Sequence, residues 1–200
     1  MKKLWIDLET TGLHPVKHGI IQIAGIIELD GEEVEEFSFN VKPFEGDAVS
    51  PDSIKAHGIS IEKMKAFDSP RETYIALVKL LGKYVDVYNK SDKFFMVGYN
   101  SKFDYDFLRK WFEKNQNSYL GSYIWFPPID VMQLAAFHLM DRRSKIKNFK
   151  LMTVAEAVGL KPIDGKLHDA RYDIRLTKEL YNGLRSLDAN TKDGSKYFQD

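Results

Sequence analysis

Leu4-Trp5-Ile6-Asp7-Leu8-Glu9-Thr10-Thr11-Gly12 sets two carboxylates at the end of a short apolar run. Residues i and i+2 of a strand point to the same face, so Asp7 and Glu9 project together. Two anions side by side on a buried strand repel each other and lose hydration. That cost is offset when a cation sits between them, most often a divalent one. Taken alone, the stretch fits equally well a strand end turning into solvent with two ordinary surface carboxylates, and the rest of the chain has to separate the two readings.

The 200 residues suit one domain, and 44% hydrophobic with 29% charged residues is the composition of a globular core. No apolar run approaches the length of a membrane span. Met1-Lys2-Lys3 leads straight into the first strand, with no signal peptide, so a cytoplasmic protein with no membrane contact is expected. The absence of cysteine excludes disulfides and thiolate metal sites, and any metal must bind oxygen or imidazole. A formal net charge of zero argues against a protein that grips long nucleic acid through a basic surplus. It leaves room for an enzyme that holds a few terminal nucleotides with metal ions supplying positive charge locally.

Outward from the opening stretch, Ile20 to Leu29 is isoleucine-rich and ends at Asp30-Gly31, a hairpin signal. Val34 to Val41 alternates with a single slip, as at a bulge, so the first three strands read as an antiparallel meander. Pro43 to Pro51 reads as a loop, and Ser53 to Phe67 as one or two short helices. Pro70 to Tyr84 is an amphipathic helix with Tyr74, Leu77, Val78 and Leu81 at helical spacing. Phe94 to Tyr99 is a fourth strand, Phe103 to Glu113 a helix, and Tyr123 to Ile129 a fifth strand that Pro127-Pro128 confines to an edge or an end. Helices follow over Val131–Met140, Met152–Val158 and His168–Leu187. The expected fold is α/β: a mixed five-stranded sheet, antiparallel then parallel, flanked by helices over 1–187, with a polar tail at 188–200.

Two further segments carry acids at element ends. Asn100-Ser101-Lys102-Phe103-Asp104 follows the fourth strand and sets Asp104 in the first turn of a helix, where a carboxylate is also an ordinary response to the helix dipole. His168-Asp169-Ala170-Arg171-Tyr172-Asp173 opens the last helix. Its histidine and Asp173 are five residues apart and do not stack, yet the imidazole can swing over a site that Asp173 reaches.

In order and spacing these three motifs make the chain resemble the DEDDh exonucleases, the DnaQ-like 3′–5′ exonucleases of the ribonuclease H-like superfold. Asp7, Glu9, Thr11 and Gly12 meet the family's first motif, Asn100, Phe103 and Asp104 its second, and His168 and Asp173 its third. The resemblance runs from about Leu4 to Leu184. It implies that Asp7, Glu9, Asp104 and Asp173 hold two Mg²⁺ or Mn²⁺ ions, that His168 is the general base, and that nucleoside 5′-monophosphates leave the 3′ end of single-stranded DNA or RNA, DNA being favoured. It further implies a rim of Thr11, Gly12 and Leu13, His57 of an Ala-His-Gly-Ile element, Phe103 and Asn100 around the terminal nucleotide, and it admits a DNA polymerase subunit as a partner. RNA 3′-end trimming and a non-catalytic binding module for a polymerase are the alternatives. Two departures stand out: Tyr99 replaces the histidine that many members have before the Asn, and Asp106, two residues beyond Asp104, reads as a solvated helix residue. Arg142 to Lys150 is the one dense basic run. It suits a guide for an incoming strand and an ordinary solvated loop equally.

Overall fold

β1 (Lys2–Thr10) lies at the centre of the sheet, with Leu4, Ile6 and Leu8 in one hydrophobic core and Trp5 in another. The computed structural model describes residues 1–163 and 170–190, with side chains as far as 186; residues 164–169, which include His168, and residues 191–200 of the tail lie outside it. β2 (Ile20–Leu29) and β3 (Glu32–Asn40) complete an antiparallel meander. Asp30 and Gly31 both take positive φ, 52° and 98°, the two-residue turn that matches strand twist. The slip in the β3 pattern is a bulge. Ile27 pairs Glu35 and Glu28 pairs Glu33, so Val34 has no opposite residue and stands 43% exposed.

β4 (Phe95–Gly98) and β5 (Ile129–Asp130) run parallel to β1, in the order β3-β2-β1-β4-β5. This is the mixed five-stranded sheet expected. The fifth strand is shorter than the expected Tyr123–Ile129. Ile124 makes an isolated bridge to Phe94, and pairing resumes only at Ile129, because Pro127 and Pro128 lack the N–H a ladder needs.

Helices cover both faces. On one, α3 (Pro70–Leu81) and α4 (Ser101–Lys114) bring Tyr74, Leu77, Phe107 and Phe112 against Leu4, Ile6 and Ile23. On the other, α5 (Val131–His138), α6 (Leu151–Ala157) and α7 (Ala170–Asn190) pack on Trp5, Ala24, Ile26 and Val97. Two short helices, α1 (Pro51–His57) and α2 (Ile61–Lys65), occupy the 51–65 stretch. α3 is closed at its start by a capping box of Ser69 and Glu72 and stops at Gly82, short of Tyr84. α7 runs to Asn190, so the first residues of the expected tail continue the helix. Among the described residues no helix is long and apolar enough to cross a membrane. Because β1, β4 and β5 are parallel, their C-terminal ends share one edge, where open sheets of this kind collect ligands.

Candidate active site

Asp7 and Glu9 stand half-buried on the face of β1 that also carries Lys3 and Trp5. The β1–β2 register shifts just beyond them, between Glu9 and Thr10, which re-aims the strand end. Asp104 reaches them from the first turn of α4. It is buried, and its Oδ1 accepts a 3.1 Å hydrogen bond from the Leu8 N–H, locking α4 to β1. Asp173 arrives from the first turn of α7. The structure thus gathers all four carboxylates of the three motifs at the end of the sheet; His168 lies outside the described residues.

The four groups act on one another. Loss of water around Asp7, then the charges of Asp104, Glu9 and Asp173, raise its carboxyl well above the usual range. Burial also raises Asp104, against the pull of its backbone hydrogen bonds and with the charges of Glu9 and Asp130 adding to the rise. Among the described residues no three His, Asp or Glu side chains stand close enough to hold one ion as they are. In chemistry the donor set fits hard divalent cations: every donor is a carboxylate oxygen, and the cluster carries the self-repulsion that a cation relieves.

The rim is a pocket of about 380 Å³ beside this cluster. Glu9, Gly12, Leu13, His57 and Phe103 line it, as does Ala56. Leu13 is 77% exposed and forms the lip. Phe103 rests on Phe107 with ring centroids 4.7 Å apart. His57 accepts the Ile59 N–H at Nδ1 (3.0 Å), which assigns its ring proton to Nε2. Gly12 is required by space, since a Cβ there would sit 2.3 Å from the His18 imidazole.

Two expected rim residues, Thr11 and Asn100, do not line the pocket. Thr11 is buried and does not line the pocket: its N–H goes to the Gly19 carbonyl, its hydroxyl to Ala48 O (2.6 Å), and its carbonyl accepts from Ser50. It fastens the loop behind the rim. Asn100 takes a left-handed conformation (φ 58°) at the turn into α4, and its N–H donates to Asp130 Oδ1 (2.9 Å). Sequence reasoning missed Asp130, which is buried and also caps α5 through the Met132 N–H (2.9 Å). An acid before Val131 is a helix-start signal, but its closeness to Asp104 is tertiary. Ser50, Asp52 and Ser53, the opposite wall of the pocket, were likewise legible only as a helix start. Asp106 pairs with Lys102 along α4, as a solvated helix residue does. Tyr99 is held protonated by burial and by the Asp130 charge, and its hydroxyl donates to the Phe149 carbonyl at 2.7 Å.

Residues 4–181 match the family model described as exonuclease, of the RNase T type. The PolC-type DNA polymerase III of Thermotoga maritima is 31% identical over 176 residues, 88% of this chain and 11% of that protein. Ribonuclease T of Actinobacillus pleuropneumoniae is 26% identical over 182 residues, 88% of this chain and 79% of that protein. Among solved structures, exonuclease I of E. coli in complex with a dT13 oligonucleotide superposes with a TM-score of 0.74 at 21% identity, over 94% of this chain and 42% of that one. The chain spans about a tenth of the PolC-type relatives and less than half of exonuclease I.

Proposed function

The chain belongs to the RNase T exonuclease family, and from that premise we propose that it is a metal-dependent 3′–5′ exonuclease acting on single-stranded ends, with DNA the favoured polymer. The observation that carries the reading is the meeting of Asp7, Glu9, Asp104 and Asp173 beside a nucleotide-sized pocket. Two Mg²⁺ or Mn²⁺ ions, when held by these oxygens, supply an activated water and relief for the departing 3′-oxygen. Asp7, central to the cluster, would hold the ions together with Glu9, Asp104 and Asp173. His168 is the general base that takes the water's proton, a role suited to a side chain that titrates near neutrality. Leu13 and Phe103 offer apolar surface to the terminal base, and such stacking tolerates any sequence. The Gly12 backbone borders the same pocket, where it would meet the sugar. The product is a nucleoside 5′-monophosphate.

DNA is favoured because the relatives with the higher identity are DNA polymerases of the PolC type. Those relatives also favour a polymerase partner and, with it, a proofreading setting. The ribonuclease T relatives, matched over most of their length, support the second reading, trimming of RNA 3′ ends. Matched 3′-labelled DNA and RNA oligomers decide between them. The expected outcome is Mg²⁺-dependent release of mononucleotides, faster from single-stranded DNA, with Asp7→Asn slower by on the order of a thousandfold. Full activity in EDTA, or an Asp7→Asn protein as fast as the parent, would overturn the reading. Tight strand binding without product under either metal would instead favour a non-catalytic module.

A further inference from the structure

The basic segment 142–150 has no part in the site so far described. Arg142, Arg143, Lys145, Lys147 and Lys150 lie there without an acid among them, in a chain of zero net charge. The segment is shaped. Ile146 is buried, the Arg143 guanidinium lies 4.8 Å over the Phe149 ring and donates to Ile146 O (3.0 Å), and Asn148 Oδ1 accepts the Lys150 N–H (3.0 Å). It is also docked: Tyr99, at the end of β4, holds the Phe149 carbonyl. Tyr99 directly precedes Asn100, whose N–H is tied to Asp130, and the Asp130 charge acts on Asp104. The backbone between Lys147 and Lys150 is therefore pinned to the turn that carries a candidate metal ligand.

Arg142, Lys145, Lys147 and Lys150 are exposed, and none has a carboxylate partner among the described residues. Lys2, Lys3, Lys102, Lys114, Arg175 and Lys178 each have one. Like charges crowded on a fixed loop repel unless the counter-charge comes from outside. The pocket lies at the end of β1, and this loop is pinned at the end of the neighbouring strand β4, with the carboxylates at the same edge. We propose that Lys145, Lys147 and Lys150 form a phosphate-binding surface for the strand on the 5′ side of the terminal nucleotide, with Tyr99 as the residue that positions it. The inference rests on the exonuclease reading for its ligand, a single-stranded polynucleotide, and adds where that strand runs.

Two substrates separate the surface from the chemistry. The p-nitrophenyl ester of thymidine 5′-monophosphate has no upstream phosphates, whereas a 20-nucleotide strand has many. In Lys145→Ala/Lys147→Ala/Lys150→Ala, the ratio of strand to ester activity at limiting substrate falls roughly tenfold. The slope of log affinity against log salt, measured by anisotropy of a labelled strand in EDTA, flattens by about 0.7 for each phosphate no longer neutralised. Tyr99→Phe keeps every charge and lowers the same ratio by a smaller factor, because the loop is released. Equal losses on both substrates, or an unchanged ratio with an unchanged salt slope, would overturn the surface. If the parent protein hydrolyses neither substrate, the exonuclease reading fails, and the salt slope alone still judges the surface.

Discussion

β1 carries Lys3 and Asp7 on one face, four residues apart, and the two ends of that face treat carboxylates in opposite ways. At the Lys3 end, Glu28 is buried with a full set of partners: Lys3 Nζ at 2.6 Å, Lys178 Nζ at 2.7 Å and the Trp5 indole N–H at 3.1 Å. Burial alone would raise its carboxyl, but the hydrogen bonds and charges of Lys178 and Lys3 outweigh it and hold the group at about 2. Glu33 and Glu36 extend the network through Lys178 and Arg175 of α7. At the Asp7 end, the carboxylates of β1, α4 and α7 face one another and drive proton affinity up. The same strand and the same helix thus build one cluster whose lysines hold a carboxyl down and one whose neighbouring carboxylates push Asp7 up. The first holds α7 on the sheet; the second is where chemistry is possible, at a cost in stability.

The Glu28 end should give the largest response. Glu28→Gln leaves buried Lys3 without its counter-charge and Lys178 with Glu33 alone, and the expected loss is about 3 kcal/mol, read from urea unfolding. A loss under 1 kcal/mol would mean that the network does not hold α7. Acid should do the same to the unchanged protein. Glu28 has a folded value depressed from 4.5 to about 2, so its contribution is complete above pH 4.5 and is lost as pH falls toward 2. A shift of that size corresponds to roughly 3 kcal/mol. Glu28→Gln should therefore flatten the pH dependence of stability in that window, and an identical profile would count against the assignment.

The Asp7 end should respond with the opposite sign and a smaller size. In EDTA, Asp7→Asn removes repulsion and raises stability by about 1 kcal/mol, seen as a higher melting temperature even as activity is lost. Millimolar Mg²⁺ should raise the melting temperature of the parent and not of Asp7→Asn, because a ligand stabilises only the state that binds it. Equal Mg²⁺ responses would remove Asp7 from the ligand set. Smallest of all, Arg175→Ala breaks only the half-exposed pairs with Glu33 and Glu36 and should cost less than about 1 kcal/mol, fading as salt is raised.

The motifs and the sheet were legible because they are local. Alternation along Val34–Val41 marked β3 and even its bulge, Asp30-Gly31 marked the hairpin, and the isoleucine run marked β2 residue for residue. The fifth strand was overestimated, because the apolar residues of Tyr123–Ile129 pack without a ladder and period alone does not distinguish the two. In the site, the four carboxylates could be named from the resemblance of their three motifs to the exonuclease family, whereas Thr11 could not be sorted from Gly12 and Leu13. Whether a threonine faces a pocket or fastens a loop depends on what folds against it, here Gly19, Ala48 and Ser50.

By itself the sequence determined which strands and helices form, which acids are candidates for the chemistry, and that any metal must be held by oxygen or imidazole. Those properties follow from residue type and from periods of two and 3.6 along the chain. Only the tertiary structure decided which carboxylates are compensated, that Asp130 stands behind Asp104, that α1 walls the pocket, and that the basic segment is pinned to β4 by Tyr99. Each of these is a meeting of residues distant in sequence. Electrostatic and hydrogen-bond energies depend on separation in space and on the exclusion of water, and neither is written in the order of the residues.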